Sequence, residues 1–181
     1  MLVRYAEAYP QERHVAQQIA DLVEQHADCC HRACRPGHLT GSAWVVSRDR
    51  QRVALVHHRK LGRWLQPGGH ADGDLDIAGV AWREAREELG LAGLQLVPDD
   101  RAIPLDIDVH VIPARYDAQG HLVDDAHEHH DLRFLFIATD EQLVVSDESH
   151  DVRWFAIDEL HHTTDEPSVL RLRDKCRALW D

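Results

Sequence analysis

The sequence predicts an α+β domain with a mixed β-sheet lying between helices, and three observations predict it. Apolar residues recur at helical period in three separate stretches, near residues 10–27, 76–89 and 166–179. Between them, runs of Val, Ile, Leu and aromatic residues carry strand character, one of them alternating cleanly at period two. Glycine and proline punctuate the joins, most densely at Pro67-Gly68-Gly69. The order is helix, hairpin, helix, several strands, helix, which suits a layered domain.

The first helix spans residues 10–27, where Val15, Ile19, Leu22 and Val23 form one apolar stripe. A Cys/His segment follows, with Cys30, Cys34 and His38 each four apart. Two readings stand for it: buried free thiols, or a zinc site without a second ligand pair. From Leu39 the pattern is β, with Ala43 to Val46 and Val53 to Val56 flanking a polar loop as a hairpin. The second strand runs into a basic patch of Arg59, Lys60 and Arg63, which can face substrate phosphates or be a solvated strand end.

After Gly69 a polar loop leads to Asp74 or Asp76, either of which can cap a helix whose apolar positions are Ile77, Val80, Ala81, Ala85 and Leu89. Gly90 closes it as a C-cap. Glu84, Glu87 and Glu88 stand at i, i+3 and i+4, so three carboxylates share one helix face. An oxygen-rich group of that kind suits Mg²⁺ or Mn²⁺; a solvated face balanced by Arg83 and Arg86 is the alternative.

Leu94 to Val97 reads as a short strand. In residues 103–112, Ile103, Leu105, Ile107, Val109 and Val111 face one way and Asp106, Asp108 and His110 the other. Residues 114–126 are a loop or hairpin tip around Gly120, after which strand character resumes at His127. The rows Asp106-Asp108-His110 and His127-His129-Asp131 can meet on neighbouring strands, as a polar sheet face or a second metal-binding patch. A last helix, 166–179, carries Val169, Leu172, Cys176 and Leu179 on one stripe.

Length and composition bound the function. A chain of 181 residues has room for one domain with a sizeable core. The formal net charge of −12 argues against non-specific binding to nucleic acid or anionic membranes. It also means that a polyphosphate would need cations to rest against a carboxylate site. Four cysteines, three of them within positions 29–34, do not form a secreted disulfide framework. No apolar run reaches membrane-spanning length and the N-terminus lacks a signal-peptide core, so a cytoplasmic location is expected. Histidine, at 15 residues, is the oddest feature of the composition.

From Gly69 the spacing G-x5-L-x7-R-E-A-R-E-E-L-G-L resembles the Nudix box, G-x5-E-x7-R-E-U-x-E-E-x-G-U, where U is apolar. Gly69, Arg83, Glu84, Ala85, Glu87, Glu88, Gly90 and Leu91 are in register; position 75 departs, with Leu75 where the family has Glu. The ending is also similar to that of many Nudix proteins: Glu148, a short gap, a strand with Trp154, then Asp158-Glu159-Leu160. The resemblance implies the Nudix fold, an α/β/α sandwich, over about residues 39–165, with residues 1–38 as an N-terminal helical extension and 39–181 as the domain with its closing helix.

It also implies hydrolysis of a nucleoside diphosphate linked to another group, by water attack at phosphorus. By position, Glu84, Glu87, Glu88 and the main-chain carbonyl of Gly69 would hold Mg²⁺ or Mn²⁺, with Glu148 as the ligand from outside the box. Arg83 would orient a carboxylate, its i+4 partner being Glu87, and Glu84 or a loop Glu would take the proton of the attacking water. Glu84, Arg83 and Glu87 are thus the catalytic set, and Arg59, Lys60, Arg63 and His70 the candidates for holding substrate. The partner expected is a small nucleotide derivative, and homodimers are frequent in the family. Leu75 keeps a rival open, a catalytically impaired Nudix domain kept as a nucleotide-binding or regulatory module; Asp74 and Asp76 flank the gap as substitutes. The diphosphate isomerase of the same fold needs a catalytic cysteine, and none lies between positions 35 and 175.

Overall fold

A computed structural model describes residues 1–98, 103–146 and 149–180. Its centre is β1 (Gly37–Val46), buried along its whole length. On one side β1 runs parallel to β9 (His127–Ala138), in register from Gly37 opposite Glu128 to Val46 opposite Ile137. On the other side it is shared: its end pairs antiparallel with β2 (Arg52–His58) and its start with the short β4 (Gly68–His70). β3 (Arg63–Leu65) adds to β2, and β10 (Ser149–Ala156) closes that edge. Beyond β9, both β5 (Leu94–Val97) and β6 (Asp106–Ile112) pair antiparallel with it. The loop 114–126 is a small hairpin of β7 (Arg115–Tyr116) and β8 (Leu122–Asp124), turning at Gly120 with φ 85°.

Strands buried on both faces read as continuous apolar runs, which is why AWVV, VALV and RFLFIA stand out in the sequence. Alternate residues feed two cores. Ala43, Val45, Ala54, Val56, Phe134 and Phe136 pack against α2 (Arg13–Gln25) and α3 (Ile77–Leu89). Trp44, Val46, Val53, Leu55 and Leu135 pack against α4 (Pro167–Ala178) through Val169, Leu172 and Cys176. A mixed sheet between helices follows, as the sequence predicts. Gly41 allows α3 to lie close on the sheet, because a Cβ there would stand 2.8 Å from the Ile77 carbonyl oxygen and 3.1 Å from the Ala81 nitrogen.

Two differences from the sequence reading lie at the N-terminus. The stretch 10–27 is a 3₁₀ turn at Pro10–Glu12 followed by α2, with Val23 on its exposed side, and it is preceded by a helix the periodicity does not reveal, α1 (Leu2–Ala8). Tertiary contact holds α1: Tyr5 is fully buried, its hydroxyl donates to Glu12, and Lys175 Nζ donates to both. Among the described residues no helix is long and apolar enough to cross a membrane.

Candidate active site

The helix α3 begins where Asp76 accepts a hydrogen bond from Gly79 N at 3.1 Å, while Asp74 accepts one from Asp76 N at 2.9 Å. It ends at Gly90, which takes the left-handed φ of 70° that glycine tolerates without strain. With Ile77, Val80, Ala81, Ala85 and Leu89 buried, Glu84 and Glu88 lie on the flank that faces the Gly68-Gly69 strand. Glu88 is nearly buried, and its Oε1 accepts from Gly68 N at 3.1 Å. The Glu84 carboxylate sits against Gly69 so closely that a Cβ there would collide with it. Glu87 is exposed.

Arg83 bridges the strand and the helix. Its Nη2 donates to the His70 carbonyl at 3.1 Å and to Glu84 Oε1 at 3.0 Å. The carboxylate it orients is therefore Glu84 and not the i+4 residue Glu87, because the guanidinium is drawn toward β4, where Glu84 also lies. Asp74 and Asp76, the suggested stand-ins at the Leu75 gap, are committed to the helix cap. Leu75 itself is 82% exposed.

The three carboxylates share a helix face without converging: the ligand-type groups whose atoms lie within 4.8 Å of one another, among the described residues, are His38 with His70 and His129, and His26 with Asp28 and Cys34. The all-oxygen donor set suits a hard divalent cation. The close approach of Gly69, which a single Cβ would fill, leaves room for the Glu84 carboxylate beside the main chain of β4. The residues present fit the ion. Glu148 lies outside the described residues.

The basic patch is partly engaged by the protein. Arg59 Nε donates to the Ser149 carbonyl at 3.1 Å, Arg63 pairs with Glu166 at 2.7 Å, and Lys60 is exposed. The two Asp/His rows do meet across β6 and β9, with Asp108 opposite Asp131 and His110 opposite His129. Their acidic end is a buried ion-pair network with Arg133, while their histidine end opens onto His38 and His70. All four cysteines are buried free thiols, and burial pushes the Cys30 and Cys34 thiols up to about 11. The four-residue spacing of Cys30, Cys34 and His38 does not make one site: Cys34 neighbours His26 and Asp28, whereas β1 carries His38 to the other histidines. Sequence reasoning missed this placement because it depends on the β1–β9 register.

A glutamate-bearing helix laid against a Gly-Gly strand, inside a mixed sheet covered by helices on both faces, defines the Nudix class of domain. The NUDIX domain family model matches residues 38–175, and the chain belongs to that family, whose hydrolases act on nucleoside diphosphate derivatives. Solved structures share the fold. A NUDIX-family hydrolase from Clostridium perfringens superposes with a TM-score of 0.59 at 21% identity, covering 78% of this chain and 97% of that one. The NUDIX domain of Shewanella oneidensis NrtR, complexed with ADP ribose, gives 0.57 at 17% identity over 90% and 98%. A C. elegans Ap4A hydrolase binary complex gives 0.54 at 17% over 78% and 96%. No curated protein matches the chain in sequence.

Two expected results follow from the geometry. Gly69→Ala pushes the Glu84 carboxylate aside, and because that carboxylate ends a flexible side chain the fold absorbs the change. Turnover falls by about a hundredfold, the usual cost of misplacing a reacting group by an ångström, with an unchanged circular dichroism spectrum. A fall in stability with normal turnover would contradict this. Leu75→Glu, at an exposed position, leaves the melting temperature within about 2 °C. It also leaves turnover within a few-fold, since Arg83 already has Glu84 and the His70 carbonyl; a large gain would show that the missing glutamate limits the enzyme.

Proposed function

We propose that the protein is a metal-dependent pyrophosphohydrolase that cleaves a nucleoside diphosphate linked to another group. The observation that carries this reading is the approach of Glu84 and Glu88 to the Gly68-Gly69 strand, with Arg83 fixing Glu84. Glu84, Glu87, Glu88 and the Gly69 carbonyl, joined by Glu148, would hold Mg²⁺ or Mn²⁺, which would supply neutralisation of phosphate charge and activation of water. Glu84, held by Arg83, accepts the proton of the attacking water. Lys60, with Arg59, Arg63 and His70 nearby in sequence, supplies the positive and hydrogen-bonding groups for the substrate phosphates. The net charge of −12 makes that cation requirement stricter.

The structural neighbours support a nucleotide-derived substrate in kind, since they include an Ap4A hydrolase and a NUDIX domain complexed with ADP ribose. The same proposal takes residues 1–38 as a helical extension of a domain running from 39 to 181, and places the protein in the cytoplasm, where its free thiols stay reduced. A homodimer is the oligomer to test.

The test is a panel of nucleoside triphosphates, ADP-ribose, nucleotide sugars and dinucleoside polyphosphates, each with Mg²⁺, with Mn²⁺ and with excess chelator. Metal-dependent phosphate release from one class supports the hydrolase. Silence across the panel with nucleotide still bound favours the binding module for which Leu75 is the mark.

A further inference from the structure

One residue along β4 from Gly69, three strands bring their histidines to one place. His38 on β1 lies directly opposite His129 on the parallel β9, and His70 on β4 lies opposite Thr40, which is on the same side of β1 as His38. A ring nitrogen of each comes within 4.8 Å of the other two. The rings stand at centroid distances of 4.8 Å for His38–His129 and 5.1 Å for both His38–His70 and His70–His129. His127, 5.1 Å from His38, borders the group, and its Nδ1 meets the Asp125 carbonyl at 2.7 Å.

The polar accounting of this pocket does not close with protein atoms. His38 is 1% exposed, yet neither of its ring nitrogens has a hydrogen-bond partner, and His129 Nε2 also lacks one. An imidazole always carries one donor and one acceptor when neutral, so burying both unpaired is costly. Three imidazoles on neighbouring strands, with ring nitrogens within 4.8 Å of one another, make a donor set of the imidazole-preferring transition metals, whereas Mg²⁺ favours oxygen.

We propose that His38, His70 and His129 bind one Zn²⁺ ion, at a site distinct from the glutamate cluster of α3. Two nitrogens on one tetrahedral zinc stand about 3.4 Å apart, so the rings close by an ångström or so on binding, within the freedom of their side-chain torsions. A fourth position remains for His127 or water. The ion joins β4 to β1 and β9, takes the His70 ring and so leaves the substrate phosphates to Arg59, Lys60 and Arg63, and stands whether or not the protein is a hydrolase.

The full chain, expressed without a polyhistidine tag and dialysed against a weak chelator, is assayed by elemental analysis and by Co²⁺ substitution. The expected result is about one equivalent of zinc, a visible spectrum of tetrahedral Co²⁺, and a melting temperature that rises with micromolar Zn²⁺. His129→Gln and His70→Gln each lose the metal and the spectrum. His70 and His129 are both only partly buried, and they sit on different strands, so each variant reads out the site independently of the other's folding. Cys34→Ser keeps both signals. Metal-free protein that takes up no zinc at micromolar concentration overturns the proposal. So does zinc that persists in both histidine variants and disappears in Cys34→Ser, which would assign it to His26, Asp28 and Cys34.

Discussion

Glu88→Gln is expected to lower kcat by about a thousandfold, the rate equivalent of the several kcal/mol that metal-held charge neutralisation supplies. The substitution is nearly isosteric, and the amide oxygen can go on accepting from Gly68 N, the 3.1 Å bond that ties helix to strand. What is lost is the formal charge, and with it the proposed hard-cation ligand. Steady-state kinetics on the substrate found by the panel, with Mg²⁺ titrated, reads the effect, and kcat and kcat/KM should fall together if the lost interaction is made mainly in the transition state. Thermal unfolding checks that the fold survives. Glu87→Gln sharpens the comparison because Glu87 is exposed and its loss costs the fold nothing. Full activity in both variants would remove the α3 carboxylates from the chemistry.

The part of the molecule that carries this prediction is also the part most legible in the sequence. In α3 every local signal agrees: an Asp cap, an apolar face at helical spacing, and a glycine with positive φ at the end. The hairpin of β1 and β2 is legible for a similar reason, since a strand buried on both faces announces itself by composition. The helix α1 is not, because seven residues are too few for periodicity to speak and its anchor is Tyr5 meeting Lys175 from the far end of the chain. Nor is the histidine pocket, because the parallel pairing of β1 with β9 joins residues about ninety positions apart, and alternation says which residues share a face but not which strand lies opposite. The Asp106-Asp108 row shows a second limit. Its alternation is plain, yet an acidic row looks the same whether it faces water or a buried arginine.

That row supplies the largest expected effect on stability. Asp106 is fully buried and accepts from Arg133 Nη1 at 3.0 Å, Arg171 Nε at 3.0 Å and Lys175 Nζ at 2.7 Å. Arg133, itself buried, also reaches Asp131 at 2.7 Å and Asp108 at 3.1 Å. Asp106→Asn leaves these cations short of a carboxylate where water does not reach, and breaking a buried pair costs about 3–5 kcal/mol, or a melting temperature lower by about 10–15 °C. Adding Arg133→Met to that variant should cost less than the two single losses added, because it removes the stranded charge. The same network sets the acid response. Burial works against ionisation of Asp106, but the hydrogen bond from Arg171 and the charges of Arg133 and Lys175 outweigh it and hold the carboxyl below its usual range; burial is likewise overcome at Asp108 by His110, Arg133 and Arg171. A carboxyl whose folded pKa is depressed contributes stability in full above its unfolded value of about 3.9, and that contribution drains away as pH falls toward the folded pKa. Melting temperatures measured from pH 7 to pH 3 should therefore hold steady down to about pH 4.5 as far as these two groups are concerned, and fall below it. The fall should be shallower in Asp106→Asn, which has already lost the titrating group, and an equally steep fall there would place the acid sensitivity elsewhere in the chain.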